Sequence, residues 1–196
     1  MITEDNVKQY WQERYNAQKE KTVGYSGNLE GYRERVKWVG EELGKLNLLG
    51  LRVLDYGCGT GMYSHIFDKR KYLGVDITKE LLKHTPKGYR YIHRVAPFMG
   101  VKIFNAEMIY TNCVLQHNSD DLLRKILQGF KLQEPNYLVF YECIDPWIRN
   151  KHVKPRDYQV YDGFVTGAFG IDLVQKEQIK HTFKGEKHSL MIWERL

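Results

Sequence analysis

Three glycines at alternate positions, Gly57, Gly59 and Gly61, directly follow the apolar run Leu51-Arg52-Val53-Leu54-Asp55-Tyr56. A strand that ends in such a turn carries its backbone close to whatever lies above it. Side chains at the glycines would block that approach or forbid a positive φ. Asp76 lies 21 residues beyond Asp55, at the end of the next apolar run, Tyr72-Leu73-Gly74-Val75. An acid at that distance accepts hydrogen bonds from ribose hydroxyls. A glycine turn and a distant acid together point to a nucleoside-bearing ligand.

The details narrow the ligand. A dinucleotide fingerprint needs glycine three positions after Gly59, where this chain has Met62, and the turn has no Gly-Lys-Ser/Thr triplet for a P-loop. Asp55 stands just before the glycines, where it suits a cationic amino group and repels a pyrophosphate. S-adenosylmethionine has both an amino group and a ribose. Asp55 is expected at its methionine end, directly or through water, and Asp76 at its ribose.

The elements that must position these residues alternate along the chain. An N-terminal helix capped by Thr3 is expected to carry Val7, Tyr10, Trp11 and Tyr15. After a loop, Leu29, Tyr32, Val36, Val39, Leu43 and Leu46 recur at helical spacing. From Leu51 the pattern becomes strand and helix: a strand to Tyr56, a helix over Met62–Asp68, strands at 72–75, 89–94 and 108–111. A helix capped by Asn118 or Ser119 bears Leu122, Leu123, Ile126, Leu127 and Phe130. Tyr137–Tyr141 reads as a central strand buried on both faces. Pro155 suits the first position of a last helix, and strands near Ile171–Val174 and Ser189–Trp193 close the chain as an antiparallel pair. The expected architecture is α/β, a doubly wound, mostly parallel sheet with helices on both faces. One domain spans 1–196, with 1–46 as a helical extension and 51–196 as the ligand-binding core.

Asp55-Tyr56-Gly57-Cys58-Gly59-Thr60-Gly61, followed by Leu73-Gly74-Val75-Asp76-Ile77, resembles motifs I and II of class I S-adenosylmethionine-dependent methyltransferases. The likeness continues through Ile109-Tyr110-Thr111-Asn112-Cys113-Val114-Leu115-Gln116-His117, which is similar to the fourth-strand region of members acting mostly on small molecules. The resemblance implies a Rossmann-like sheet of seven strands with an antiparallel last strand. It implies S-adenosylmethionine contacts at Asp55, Gly57, Cys58, Gly59, Thr60, Gly61, Asp76 and Ile77, and beyond the third and fourth strands at Val95, Ala96, Asn112 and Cys113. Similar small methyltransferases fold an N-terminal extension over the cofactor as a lid, which assigns Tyr10 and Tyr15 there. Aromatic faces suit a sulfonium and an adenine ring; the alternative is that these rings, with Trp11 and Tyr25, anchor the extension to the core.

The chain also departs from the family pattern. The acid that often meets the adenine amino group after the third strand is replaced by Arg94, Val95 and Ala96, so adenine is expected to rest on backbone amides and apolar contacts. The acid often found within the fourth strand appears as Glu107. The Asn/Asp-Pro-Pro-Tyr/Phe motif is absent, which argues against base N-methylation of that type.

The donor of such a reaction is already activated. The protein must align nucleophile and methyl, exclude water and take a proton where the acceptor carries one. His117, after the fourth strand, is the first candidate base, its other reading being a capping or loop histidine. Glu142, ending the fifth strand, is the second, its other reading being a partner for a nearby cation. Cys113 has no evident activating neighbour. The segment Asp145–Asp157, with Trp147, Arg149, Lys151, His152, Lys154 and Arg156, lies where this fold builds recognition loops. It suits an acidic small molecule or a nucleic-acid backbone, or is a solvated loop.

Composition agrees with this frame. Hydrophobic residues make up 42 % and charged residues 28 % of 196, as in globular proteins. Three cysteines without a C-x-x-C, no basic-apolar leader and no run approaching a membrane span lead us to expect a reduced, cytoplasmic protein without a membrane partner or a metal. A net charge of +6 is as compatible with a solvated surface as with an anionic partner. The expected acceptor is a small molecule. A nucleic acid or protein acceptor, or a binding protein without turnover, are the alternatives, and an NAD-dependent oxidoreductase is disfavoured by Met62.

Overall fold

The computed structural model describes residues 4–18, 29–94, 102–144, 156–183 and 186–196. Seven strands follow one another along the chain: β1 (Val53–Tyr56), β2 (Tyr72–Asp76), β3 (Arg90–His93), β4 (Met108–Asn112), β5 (Tyr137–Cys143), β6 (Leu173–Phe183) and β7 (Glu186–Arg195). They form one sheet in the order β3-β2-β1-β4-β5-β7-β6. β1 with β2, β2 with β3 and β4 with β5 pair in parallel, whereas β7 runs antiparallel to both β5 and β6. This is the expected mixed sheet with its antiparallel closing pair. The closing strands are longer than their apolar centres suggest, because polar residues such as Lys176, Gln178 and Lys180 alternate along β6.

The chain forms two compact units, Asp5–Val95 and Ala96–Leu196, the latter with Met1–Glu4. In the first, α1 (Glu4–Gln18) and α2 (Leu29–Lys45) precede β1. The spacing seen in the sequence turns Tyr32, Val39 and Leu43 of α2 inward. Gly40 lacks the side chain that would meet Ile66 at 3.1 Å, so α2 lies close to the residues after the glycine turn. Those residues differ from expectation. In place of a helix over Met62–Asp68 there is a five-residue 3-10 turn, Met62–Ile66, and the backbone is extended again at Phe67. Only a few residues separate Gly61 from the Asp68–Lys71 turn that leads into β2, too few to repay the nucleation of an α-helix.

In the second unit α3 (Asp120–Lys131) is capped by Ser119, whose hydroxyl accepts from the Leu122 amide at 3.3 Å. Its face of Leu122, Leu123, Ile126, Leu127 and Phe130 is buried, as the periodicity requires. β5 is buried from Leu138 to Cys143, but it stands fifth in the order, and β4 is the middle strand. The core here gathers aromatics: the Phe140 ring lies 5.0 Å from Trp193 and 6.3 Å from Tyr161. α4 (Tyr158–Phe169) does not begin at Pro155. Asp157 caps it, accepting from the Val160 amide at 2.9 Å, which sets the first turn three residues later. Thr3, Tyr25, Val95, Ala96, Trp147, Arg149, Lys151, His152, Lys154 and Pro155 lie outside the described residues.

Because the carboxylate of Asp157 starts α4, Asp157→Ala should lower the free energy of unfolding by about 1 kcal/mol. Urea titration measures this, and Asp157→Ser should restore most of the loss.

Candidate functional site

The glycine turn is built by the end of β1 reaching across to β2. The amides of Gly57 and Cys58 both donate to the Val75 carbonyl, at 2.8 and 3.1 Å, and the Gly61 amide donates to the Cys58 carbonyl at 2.8 Å. Gly57, Gly59 and Gly61 all have positive φ, at 76°, 56° and 71°. The sequence required glycine there for this reason, and Cys58 and Thr60 between them are buried.

Asp76 closes the turn from the other strand. Its Oδ2 accepts from the Gly59 amide at 2.8 Å and its Oδ1 from the Thr78 amide at 2.7 Å. Burial pushes its pKa above the usual carboxylate value, while these donors pull the other way. Each carboxylate oxygen has a second lone pair, so both remain able to accept from vicinal hydroxyls. Ile77 follows, its carbonyl 3.1 Å from His93 Nε2.

Asp55 is 2 % exposed, and its Oδ2 accepts from the Tyr72 hydroxyl at 2.5 Å. Burial pushes its pKa up to about 7; the Tyr72 hydrogen bond lowers it and the Asp76 charge raises it. Tyr91 of β3 fills the space behind the turn. A Cβ at Gly61 would fall 2.5 Å from its hydroxyl, and one at Gly74 would fall 2.6 Å from its ring and 2.8 Å from Cys58 Sγ. Sequence reading missed Tyr72 and Tyr91 as site residues. The only signal was strand alternation, which puts tyrosines at 89 and 91 on one face.

On α1, Tyr15 places its hydroxyl 3.0 Å from His84 Nε2, in the 3-10 turn Leu81–His84 that follows β2. The Tyr10 hydroxyl accepts from Arg14 at 2.7 Å.

The second unit holds the candidate bases. After β4, Asn112 donates to the Tyr110 hydroxyl at 3.1 Å, and Cys113 takes a left-handed conformation at φ 52° with its amide on the Tyr141 carbonyl at 2.8 Å. Glu142 is fully buried and gathers the turn that follows. Its Oε1 accepts from Thr111 Oγ1 at 3.1 Å, from the Val114 amide at 3.2 Å and from the Leu115 amide at 3.1 Å, and its Oε2 from the Gln116 amide at 3.3 Å. Burial pushes its pKa up to about 7, against the pull of those donors. The Gln116 side-chain oxygen accepts from the Cys143 amide at 2.9 Å. His117 sits on this turn, 8 % exposed, with Nε2 3.5 Å from Gln116 Nε2.

Arg156 holds the same turn from the far side. It donates through Nη1 to the Leu115 carbonyl at 3.1 Å, and through Nη2 to the Asn118 carbonyl at 2.6 Å and to Asp120 at 2.9 Å. At 3 % exposure it is a structural pin and not a member of a substrate-facing basic cluster. The three cysteines are free thiols, and burial and the nearby carboxylates push Cys58 up, away from thiolate reactivity. No group of metal-ligating side chains occurs among the described residues, and none of their helices is long and apolar enough to cross a membrane.

No family model matches this sequence, and no curated protein matches it. Solved structures do match the fold. A magnesium protoporphyrin IX methyltransferase from Synechocystis with bound S-adenosylhomocysteine superposes with a TM-score of 0.75, at 13 % identity, over 99 % of this chain and 100 % of that one. A Burkholderia thailandensis 1,6-didemethyltoxoflavin N1-methyltransferase, with its acceptor and S-adenosylhomocysteine bound, gives 0.73 at 11 % identity over 100 % and 91 %. A putative RNA methyltransferase from Pyrococcus horikoshii gives 0.61 at 11 % identity over 83 % and 85 %. At such identities the likeness is one of fold. The chain has the class I S-adenosylmethionine-dependent methyltransferase fold.

Two buried acids make stability depend on pH in a defined direction. Asp55 and Glu142 are both raised above the values of an unfolded chain. Their favourable contribution is therefore present below about pH 4 and is lost as the pH rises through about 7. The free energy of unfolding should fall over that range, and Asp55→Asn should remove part of the fall; urea titrations at a series of pH values measure both. Glu142→Gln leaves one oxygen for four donors and should cost about 2–3 kcal/mol. Hydrogen exchange at the amides of Val114, Leu115 and Gln116 should accelerate in that variant.

Proposed function

We propose that this protein is an S-adenosylmethionine-dependent methyltransferase acting on a small-molecule acceptor, in a reducing, cytoplasmic setting that keeps its thiols free. The carrying observation is the left-handed glycine turn with the Asp76 carboxylate hydrogen-bonded to its middle glycine. In a doubly wound sheet, ligands lie outside the carboxyl ends of the strands, where this turn and Asp76 stand. The residues fit the cofactor's parts. Asp76 offers two acceptor oxygens to ribose hydroxyls, and Asp55 offers a carboxylate to an ammonium. The glycines Gly57, Gly59 and Gly61, with Cys58 and Thr60, bring backbone within reach.

When bound, S-adenosylmethionine supplies a sulfonium-activated methyl group for in-line displacement. The protein's work is then orientation, exclusion of water and proton removal. Ile77, Val95, Ala96, Asn112 and Cys113 are assigned the cofactor's flanks, and Tyr10 and Tyr15 a cover over it. His117 is the assigned base for an acceptor that carries a proton. Glu142 is assigned to positioning: with four donors on its carboxylate, it fixes the turn on which His117 stands.

A small acceptor is favoured over nucleic acid by Arg156, since one cation of the basic segment is already committed to carbonyls and Asp120. Titration calorimetry should show binding of S-adenosylmethionine and S-adenosylhomocysteine and none of NAD or ATP; binding of NAD alone would sink the reading. Asp76→Ala should weaken S-adenosylhomocysteine at least tenfold, a loss of about 1.4 kcal/mol. Salt-sensitive binding of single-stranded RNA at low salt would shift the acceptor class to nucleic acid.

A further inference from the structure

Tyr72 is an unusual neighbour for a ligand-binding acid, and its surroundings give it a definite task. In the β1–β2 register Val53 pairs with Tyr72 and Asp55 with Gly74, and Gly74 pairs with Tyr91 across β2 and β3. Paired residues share a face of a sheet, as do residues two apart on a strand. Asp55, Tyr72 and Tyr91 therefore stand on one face, around a glycine that contributes no side chain. The Tyr72 ring cannot swing: it is fully buried, stacked 6.0 Å from Phe67 and met edge-on by Tyr89 at 5.5 Å and Tyr91 at 5.7 Å. Its hydroxyl is held as a donor, because burial and the Asp55 charge push the phenol well above its ordinary value. That donor engages Oδ2 of Asp55. No hydrogen-bond donor among the described residues reaches Oδ1.

We propose that Tyr72 is a positioning residue of the cofactor site: it holds Asp55 by one oxygen so that the other is presented to the ammonium of the cofactor's methionine end. This deepens the methyltransferase reading and rests on it. The consequence is a division of labour within the site. Recognition of the ribose lies with Asp76, whose carboxylate is set by backbone amides. Recognition of the ammonium lies with Asp55, whose carboxylate is set by a side-chain hydroxyl from outside the turn. The groups facing Asp55 are Tyr72 and Asp76 on β2, Cys58 on the turn and Tyr91 on β3. Among them only Tyr72 donates a hydrogen bond to it.

Two probes separate the ends of the ligand: S-adenosylhomocysteine carries the ammonium, and 5′-methylthioadenosine keeps the nucleoside and sulfur without it. Calorimetry on the full chain from pH 6 to pH 8 should show S-adenosylhomocysteine affinity rising with pH and methylthioadenosine affinity level. Tyr72→Phe should weaken S-adenosylhomocysteine about tenfold at pH 7 and move the midpoint of its pH profile upward, while methylthioadenosine changes less than twofold. Asp55→Asn, which keeps the shape of the side chain, should flatten the profile altogether and serves where the phenylalanine variant folds poorly. Equal losses for both probes in Tyr72→Phe, or no loss for either, overturn the inference while leaving the methyltransferase reading intact. Failure of the unaltered protein to bind either probe overturns both.

Discussion

Everything in the first unit's site depends on one carbonyl. Val75, near the end of β2, accepts from two consecutive amides of the glycine turn, those of Gly57 and Cys58. That shared acceptor bends the chain sharply off β1, and the following residues must pass through left-handed backbone at Gly59 and Gly61 to complete the turn. The same stretch of β2 delivers Asp76 one residue later, so turn and acid cannot separate without breaking the strand pair. Its carboxylate then returns a hydrogen bond to Gly59. The turn is thus tied to β2 by backbone on one side and by a side chain on the other.

That economy explains what could be read from the sequence. The requirement for glycine is local and absolute, and the 21-residue spacing to Asp76 is set by one strand, one connection and the next strand. Strand and helix patterns were equally legible where burial is periodic, as in α3. What escaped was decided by distant partners. Arg156 reads as one cation in a basic run, but its acceptors are carbonyls 41 and 38 residues away. Glu142 reads as a candidate base or the partner of a nearby cation, yet its donors are Thr111 at the end of β4 and the amides of the turn that follows, 26 to 31 residues earlier. The helix expected after Gly61 has the right residue types and failed for want of length.

The two units solve one problem in the same way. Each needs a turn at the carboxyl end of a parallel strand, where backbone amides have no ladder partner. In the first, Asp76 satisfies them at Gly59 and Thr78; in the second, Glu142 does so at Val114, Leu115 and Gln116. A carboxylate is the efficient residue for this purpose, since it offers several lone pairs and no donor of its own. The cost is desolvation, visible in the raised values of both acids.

Asp55 is different, and the difference is informative. It is buried like the other two, but its donor among the described residues is one phenol instead of a set of amides. A carboxylate that only held structure would gain by collecting more donors, as Glu142 does. A buried acid left with one of its oxygens uncommitted is poorly stabilised by its own protein, and a site destabilised in this way favours whatever cation completes it. In the proposed assignment, stability sacrificed at Asp55 is the physical counterpart of affinity for a ligand that brings its own ammonium. In the same assignment the glycine turn determines where a ligand meets the backbone. In the proposed assignment Asp55, with one hydrogen-bond donor among the described residues, is the group that selects a cationic ligand.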